Sequence, residues 1–163
     1  MITRCYRLIA CLLLVLCCST VTAAPPPPAP GPGDKCPVCG MFVKKYPSWV
    51  AMARLRDGRY LYFDGAKDLF RYLQAPVKYR PSPTTPPVEQ ALVKDYYSLQ
   101  VIDAKQAYFV MGSDVYGPMG HELIPFAKLP DAQEFQRDHH GKRIIRFHEI
   151  NQGILTTDRK SVV

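Results

Sequence analysis

From Ser48 to Leu55 the side chains alternate, and Asp57-Gly58 follows, so the pattern predicts a strand running into a hairpin turn. Arg59 to Phe63 supplies the returning strand, and Asp64-Gly65 ends it. Ala66, Leu69, Phe70 and Leu73 then fall at i, i+3, i+4 and i+7, the spacing of one helical face. Five prolines between Gln74 and Pro87 predict a loop. Asp95 to Ile102 predicts a strand that closes the first sheet.

The second half repeats the pattern. Ala107 to Met111 reads as a strand, and Ser113 to Gly120 as a loop between Gly112 and His121. Glu122 to Phe126 is short and extended, with Pro125 suiting a sheet edge. Pro130 to His139 opens with proline and is polar, which predicts a surface helix. Arg143 to Ile150 is a final strand. The likeness between the halves is one of pattern and not of residues. It predicts an α+β chain of two small β-β-α-β units in tandem, residues 34–105 and 106–151, followed by a tail, 152–163, frayed from Gly153 onward.

The N-terminus is different in kind. Arg4 and Arg7 precede an unbroken apolar run of 11 residues, Leu8 to Cys18. A membrane-spanning helix needs roughly 20 apolar residues, so the run is too short to cross a bilayer. It fits a signal peptide over residues 1–23, with Val21-Thr22-Ala23 as small residues before cleavage at Ala24. The competing reading is a lipoprotein signal with Cys17 or Cys18 as the lipidated residue. Leu16 and Cys17 precede them where a small residue is expected. Either way the protein is expected to be exported to the periplasm, free or lipid-anchored to the membrane. Residues 24–33 carry six prolines and predict an extended tether without hydrogen-bonded structure.

The 163 residues carry a net charge of +7, which falls to +5 once Arg4 and Arg7 leave with the signal peptide. The basic residues are scattered singly, so no nucleic-acid partner is expected. Removing the leader also removes four of six cysteines. Cys36 and Cys39 remain, as one Cys-x-x-Cys. In an oxidising compartment they form a disulfide with each other or stay reduced to hold a metal. A scaffold of several disulfides is excluded.

Cys36-Pro37-Val38-Cys39-Gly40-Met41 carries the chemistry. Two thiols three apart converge on one atom, Gly40 permits a tight turn behind them, and Met41 adds a soft thioether. Thiolates and thioethers select Cu(I) over hard divalent cations. A second cluster is Gly117-Pro118-Met119-Gly120-His121-Glu122. Met119 stands between glycines on a loop, with few neighbours to pack against, so it reads either as a ligand or as ordinary filler. His121, two residues on, faces the same side of an extended segment and is a further donor or a solvated loop residue. Met52 and Met111 fit the core. His139 and His140 fit a helix end, and His148 a structural position in the last strand. Asp64 and Asp68 read as a helix-start residue and a surface carboxylate.

Two other chemistries compete. Cys-Pro-Val-Cys resembles the motif of thiol–disulfide oxidoreductases, but such motifs sit between a strand and a helix, and here a tether precedes the pair. A structural zinc site wants four ligands, commonly from two pairs. Only one Cys-x-x-Cys is present, so a zinc-stapled interaction module would need ligands from distant parts of the chain.

The combination of CPVCGM, a hairpin, YFDGAKDLFRYL and GPMGHELIPF, in that order, resembles the NosL family of nitrous oxide reductase accessory proteins over roughly residues 34–150. The resemblance implies a copper-binding chaperone, not an enzyme, that is exported and often lipid-anchored. It implies delivery of Cu(I) to nitrous oxide reductase, and two small β-β-α-β units. It places the metal ligands on Cys36, Cys39, Met41 and Met119, with His121 added by proximity. Where the family often has a clean lipidation box, this chain has Leu16-Cys17-Cys18.

Overall fold

A computed structural model describes residues 26–157. The proposed signal peptide, Cys17, Cys18, the cleavage point at Ala24 and the last six residues lie outside the described residues.

The hairpin at Asp57-Gly58 forms as its pattern requires. Strand β1 (Ala51–Leu55) pairs antiparallel with β2 (Tyr60–Phe63), and Gly58 takes φ +85°, open to glycine at no cost. Helix α1 (Ala66–Gln74) follows, then a short helix α2 (Pro76–Tyr79) within the proline-rich stretch. Strand β3 (Val88–Lys94) returns beside β1, and β4 (Val101–Asp103) lies outside it, giving the order β2-β1-β3-β4. The single strand expected over Asp95 to Ile102 is therefore corrected. The strand beside β1 is β3, which ends at Lys94 just before the expected segment, and that segment contributes only Val101 and Ile102, to β4. Asp95 instead turns the chain: its Oδ1 accepts from the Ser98 N–H and hydroxyl, both at 2.7 Å. A side chain that satisfies backbone donors locally competes with strand pairing.

The second unit has the same plan. Strand β5 (Tyr108–Met111) is central. Two-residue strands β6 (Tyr116–Gly117) and β7 (Gly120–His121) make a small hairpin inside the segment expected to be loop. Strand β8 (Ile124–Phe126) lies at one edge of the sheet, helix α3 (Leu129–Asp138) follows, and β9 (Arg143–Arg146) closes the order β8-β5-β9. The last strand is shorter than expected because Phe147–Glu149 turn into a 3-10 helix, where His148 is exposed and outside any strand.

The two sheets share a core. Phe70 of α1 meets Phe109 of β5 edge-on at 5.2 Å and Phe147 at the same distance. Phe109 and Met111 face that joint cluster, while Val110, between them, faces a second cluster with Phe126, Ala132 and Phe135 under α3. The period of two along β5 thus divides its side chains between two layers. Helix α1, squeezed between both sheets, buries Tyr72 as well as Ala66, Leu69 and Phe70.

Two expectations at the ends are corrected. The tail does not fray at Gly153: helix α4 (Gln152–Thr157) forms, and Leu155 is buried in the joint core. The tether is not without hydrogen bonds, since the Tyr62 hydroxyl donates to the Pro28 carbonyl at 3.0 Å. The segment is laid against the protein rather than swinging from it.

Candidate metal centre

The cysteine loop is built locally. Lys35 bridges to Phe42, and the Cys36 N–H donates to the Met41 carbonyl at 2.9 Å. Inside that bond the Gly40 N–H donates to the Cys36 carbonyl at 2.8 Å, with Gly40 at φ +80°, where a side chain would strain the backbone. Both cysteines are free thiols; Cys36 is 1% exposed and Cys39 is half-buried.

The thiols point at the start of α1. Cys36 Sγ donates to Asp68 Oδ2 at 3.4 Å, and Cys39 Sγ to Asp64 Oδ1 at 3.2 Å. One donor atom from each of the four residues lies within 4.8 Å of the other three. Asp68 is thus no surface carboxylate: it is 2% exposed, and its Oδ1 accepts from Arg71 Nη1 at 2.7 Å. Asp64 is equally buried, and its Oδ2 has no hydrogen-bond partner.

Burial drives the Cys36 thiol far above its ordinary range, with Asp68 and Asp64 adding to the rise. Burial also pushes Cys39 up to about 12. Backbone hydrogen bonds oppose both shifts without cancelling them. The thiols therefore keep their hydrogens. Ionising both beside two carboxylates would gather negative charge with Arg71 as the guanidinium in contact. A cation placed among these atoms would relieve that repulsion, and the unpartnered Asp64 oxygen offers a lone pair to it.

The structure brings together Cys36 and Cys39, with Met41 closing the same loop through its backbone. His121 is outside the four-residue group. Met119 sits at the tip of the β6–β7 hairpin, 48% exposed. The His121 ring lies 4.7 Å from that of Tyr116, and its Nδ1 is buried without a partner. This hairpin is joined to the same helix start: Lys67 Nζ donates to the His121 carbonyl at 3.0 Å, and the Lys67 N–H to Glu122 Oε1 at 2.6 Å. Burial raises the Glu122 carboxyl to about 7 against the pull of hydrogen bonds from the Leu123 and Lys67 N–H groups and of the Lys67 charge. His139 closes α3 and pairs with Asp114 at 3.1 Å, away from this chemistry.

Asp64, Asp68 and Glu122 are the residues that sequence reasoning passed over. The spacing of Asp64 and Asp68 by four, across a helix start, was the available signal, since such positions share a side. That both are buried against thiols 25 and 32 residues away is a tertiary fact.

Residues 27–155 match the NosL family. Over 123 residues the chain is 30% identical to the copper-binding lipoprotein NosL of Stutzerimonas stutzeri, a match that covers 75% of this chain and 64% of that protein's length. The crystal structure of the copper chaperone NosL from Shewanella denitrificans superposes with a TM-score of 0.65 at 28% identity, over 79% of this chain and 99% of the other. The solution structure of apo-NosL from Achromobacter cycloclastes gives a TM-score of 0.47 at 22% identity, over 64% and 87%.

Proposed function

The chain belongs to the NosL family, and from that premise we propose that it is an exported metallochaperone that carries Cu(I) to a copper enzyme, with nitrous oxide reductase as the client. Cys36 and Cys39 are the principal ligands. Met41, Met119 and His121 are further donors. Export leaves the protein in the periplasm, and lipidation at Cys17 or Cys18 would hold it at the membrane.

The observation that carries this reading is the pair of free thiols, Cys36 buried and Cys39 half-buried, each donating to a buried carboxylate. Once the ion has displaced their protons, thiolate sulfurs prefer a soft ion such as Cu(I). A copper ion held by few ligands accepts an incoming donor before its own have left, which permits handover. The partly exposed Cys39 and the exposed Met119 are where a client ligand would enter. A disulfide oxidoreductase is disfavoured by the same geometry. Its attacking thiol is acidified by its surroundings, whereas burial and the nearby carboxylates raise both of these.

The test is an anaerobic competition titration of the purified protein against a Cu(I) chelator. One equivalent of Cu(I) binds tightly, and Cys36→Ser with Cys39→Ser abolishes that binding. Unchanged affinity in the double variant would place the site elsewhere.

The carboxylates favour one second reading. Sulfur and oxygen together also suit Zn²⁺, so Cys36, Cys39, Asp64 and Asp68 match a zinc-stapled module in donor type. Competition between Zn²⁺ and Cu(I) in the same titration separates the two.

A further inference from the structure

Helix α1 lacks a side-chain cap of its own. Its N-cap is Gly65, and no side chain of the cap residue bonds there. The first N–H groups of a helix have no partner within it. Here the missing acceptor comes from the other unit: Glu122 Oε1 takes the Lys67 N–H at 2.6 Å, across 55 residues, and also its neighbour's, Leu123, at 2.9 Å.

Glu122 is 4% exposed and fitted into place by two glycines. A Cβ at Gly65 would meet the carboxyl carbon of Glu122 at 2.8 Å, and one at Gly117 would meet its Cβ and Cγ at 3.1 Å. The carboxyl occupies the space where Gly65 has no side chain, and the stem lies against the first strand of the Met119 hairpin. Among the described residues, β6 and β7 pair only with each other. No larger sheet holds that hairpin, so its anchorage falls to the residues at its base.

We propose that Glu122 is a positioning residue of the copper site: by capping α1 from the second unit, it sets where Met119 and His121 stand relative to Cys36 and Cys39. This rests on the reading in which Met119 supplies a donor to the same ion as the thiols. A metal–sulfur bond of roughly 2.3 Å tolerates little displacement, and a site displaced by about 1 Å is functionally loose. Residues that orient metal ligands without touching the metal typically control affinity by about 10- to 100-fold.

The experiment combines Glu122→Ala, Glu122→Gln and Met119→Ala. Cu(I) affinity is measured by anaerobic chelator competition, and sulfur neighbours are counted by X-ray absorption. Glu122→Ala is expected to weaken Cu(I) binding at least about tenfold and to remove one sulfur neighbour, as Met119→Ala does. Glu122→Gln keeps an oxygen for both N–H groups and restores both readouts. In the Met119→Ala background, Glu122→Ala adds no further loss. If Glu122→Ala does not fold, Glu122→Asp, which keeps the carboxyl and shortens the reach by one methylene, is judged by the same criteria. An equal loss with and without Met119, or no loss in the parent, overturns the positioning role alone. If Met119→Ala leaves affinity and sulfur count unchanged, the shared-site reading fails and the positioning role goes with it.

Discussion

The Cys36 thiol donates a hydrogen bond to Asp68, 32 residues along the chain, while Arg71 donates to the other oxygen of the same carboxylate. One side chain therefore serves both the cysteine loop and the helix. Removing it leaves a buried thiol and a largely buried guanidinium without their acceptor. Asp68→Ala is expected to cost about 2 kcal/mol, read from the urea midpoint at constant slope, and Asp68→Asn less. A midpoint unchanged in both variants would show that Asp68 carries no structural weight.

The joint core predicts cooperativity. Phe109 belongs to the second sheet but packs edge-on against Phe70 of the first unit. Phe109→Ala should cost about 3–5 kcal/mol, and it should lower the stability of both units together. Calorimetry should show one transition with equal calorimetric and van't Hoff enthalpies. Two resolved transitions in the parent protein would mean that the units unfold separately.

Asp95 predicts a pH dependence. Burial alone would raise its carboxyl, but hydrogen bonds from the Ser98 and Ala127 N–H groups, the Ser98 hydroxyl and the Tyr97 N–H outweigh it, and the group is held below the usual range. The unfolded chain therefore takes up a proton before the folded one does. The stabilisation is present above the ordinary carboxylate pKa of about 4 and is lost as pH falls through the lower folded value. Stability of the parent should drop more steeply below about pH 4 than that of Asp95→Asn. Parallel pH curves would refute the linkage.

Metal removal separates a chaperone from a stapled module. The core clusters form from apolar side chains in both sheets and α1. A chelator in excess should leave the far-UV circular dichroism and the melting midpoint of the purified protein unchanged. Zinc-stapled domains unfold under the same treatment, and such an outcome here would favour the second reading.

Local order was legible in the residues alone. Period-two alternation, Asp57-Gly58 and the i, i+3, i+4, i+7 spacing from Ala66 specify a hairpin and a helix because each depends on neighbours within one turn of chain. Cys36-x-x-Cys39 was legible as a pair for the same reason, its two sulfurs being set by a few dihedral angles, though the spacing alone left a disulfide and a metal site both open. Strand ends were less legible where a side chain competes for backbone donors, as Asp95 does after β3. What tertiary structure alone decided is the company of the thiols. Asp64 looks like a helix-start residue, Asp68 like a surface carboxylate and Glu122 like the first residue of a short extended segment, until two sheets close on one helix and shut all three away from water. Burial is a property of the whole packing, and it turns these acids into the acceptors and the cap around which the site is built.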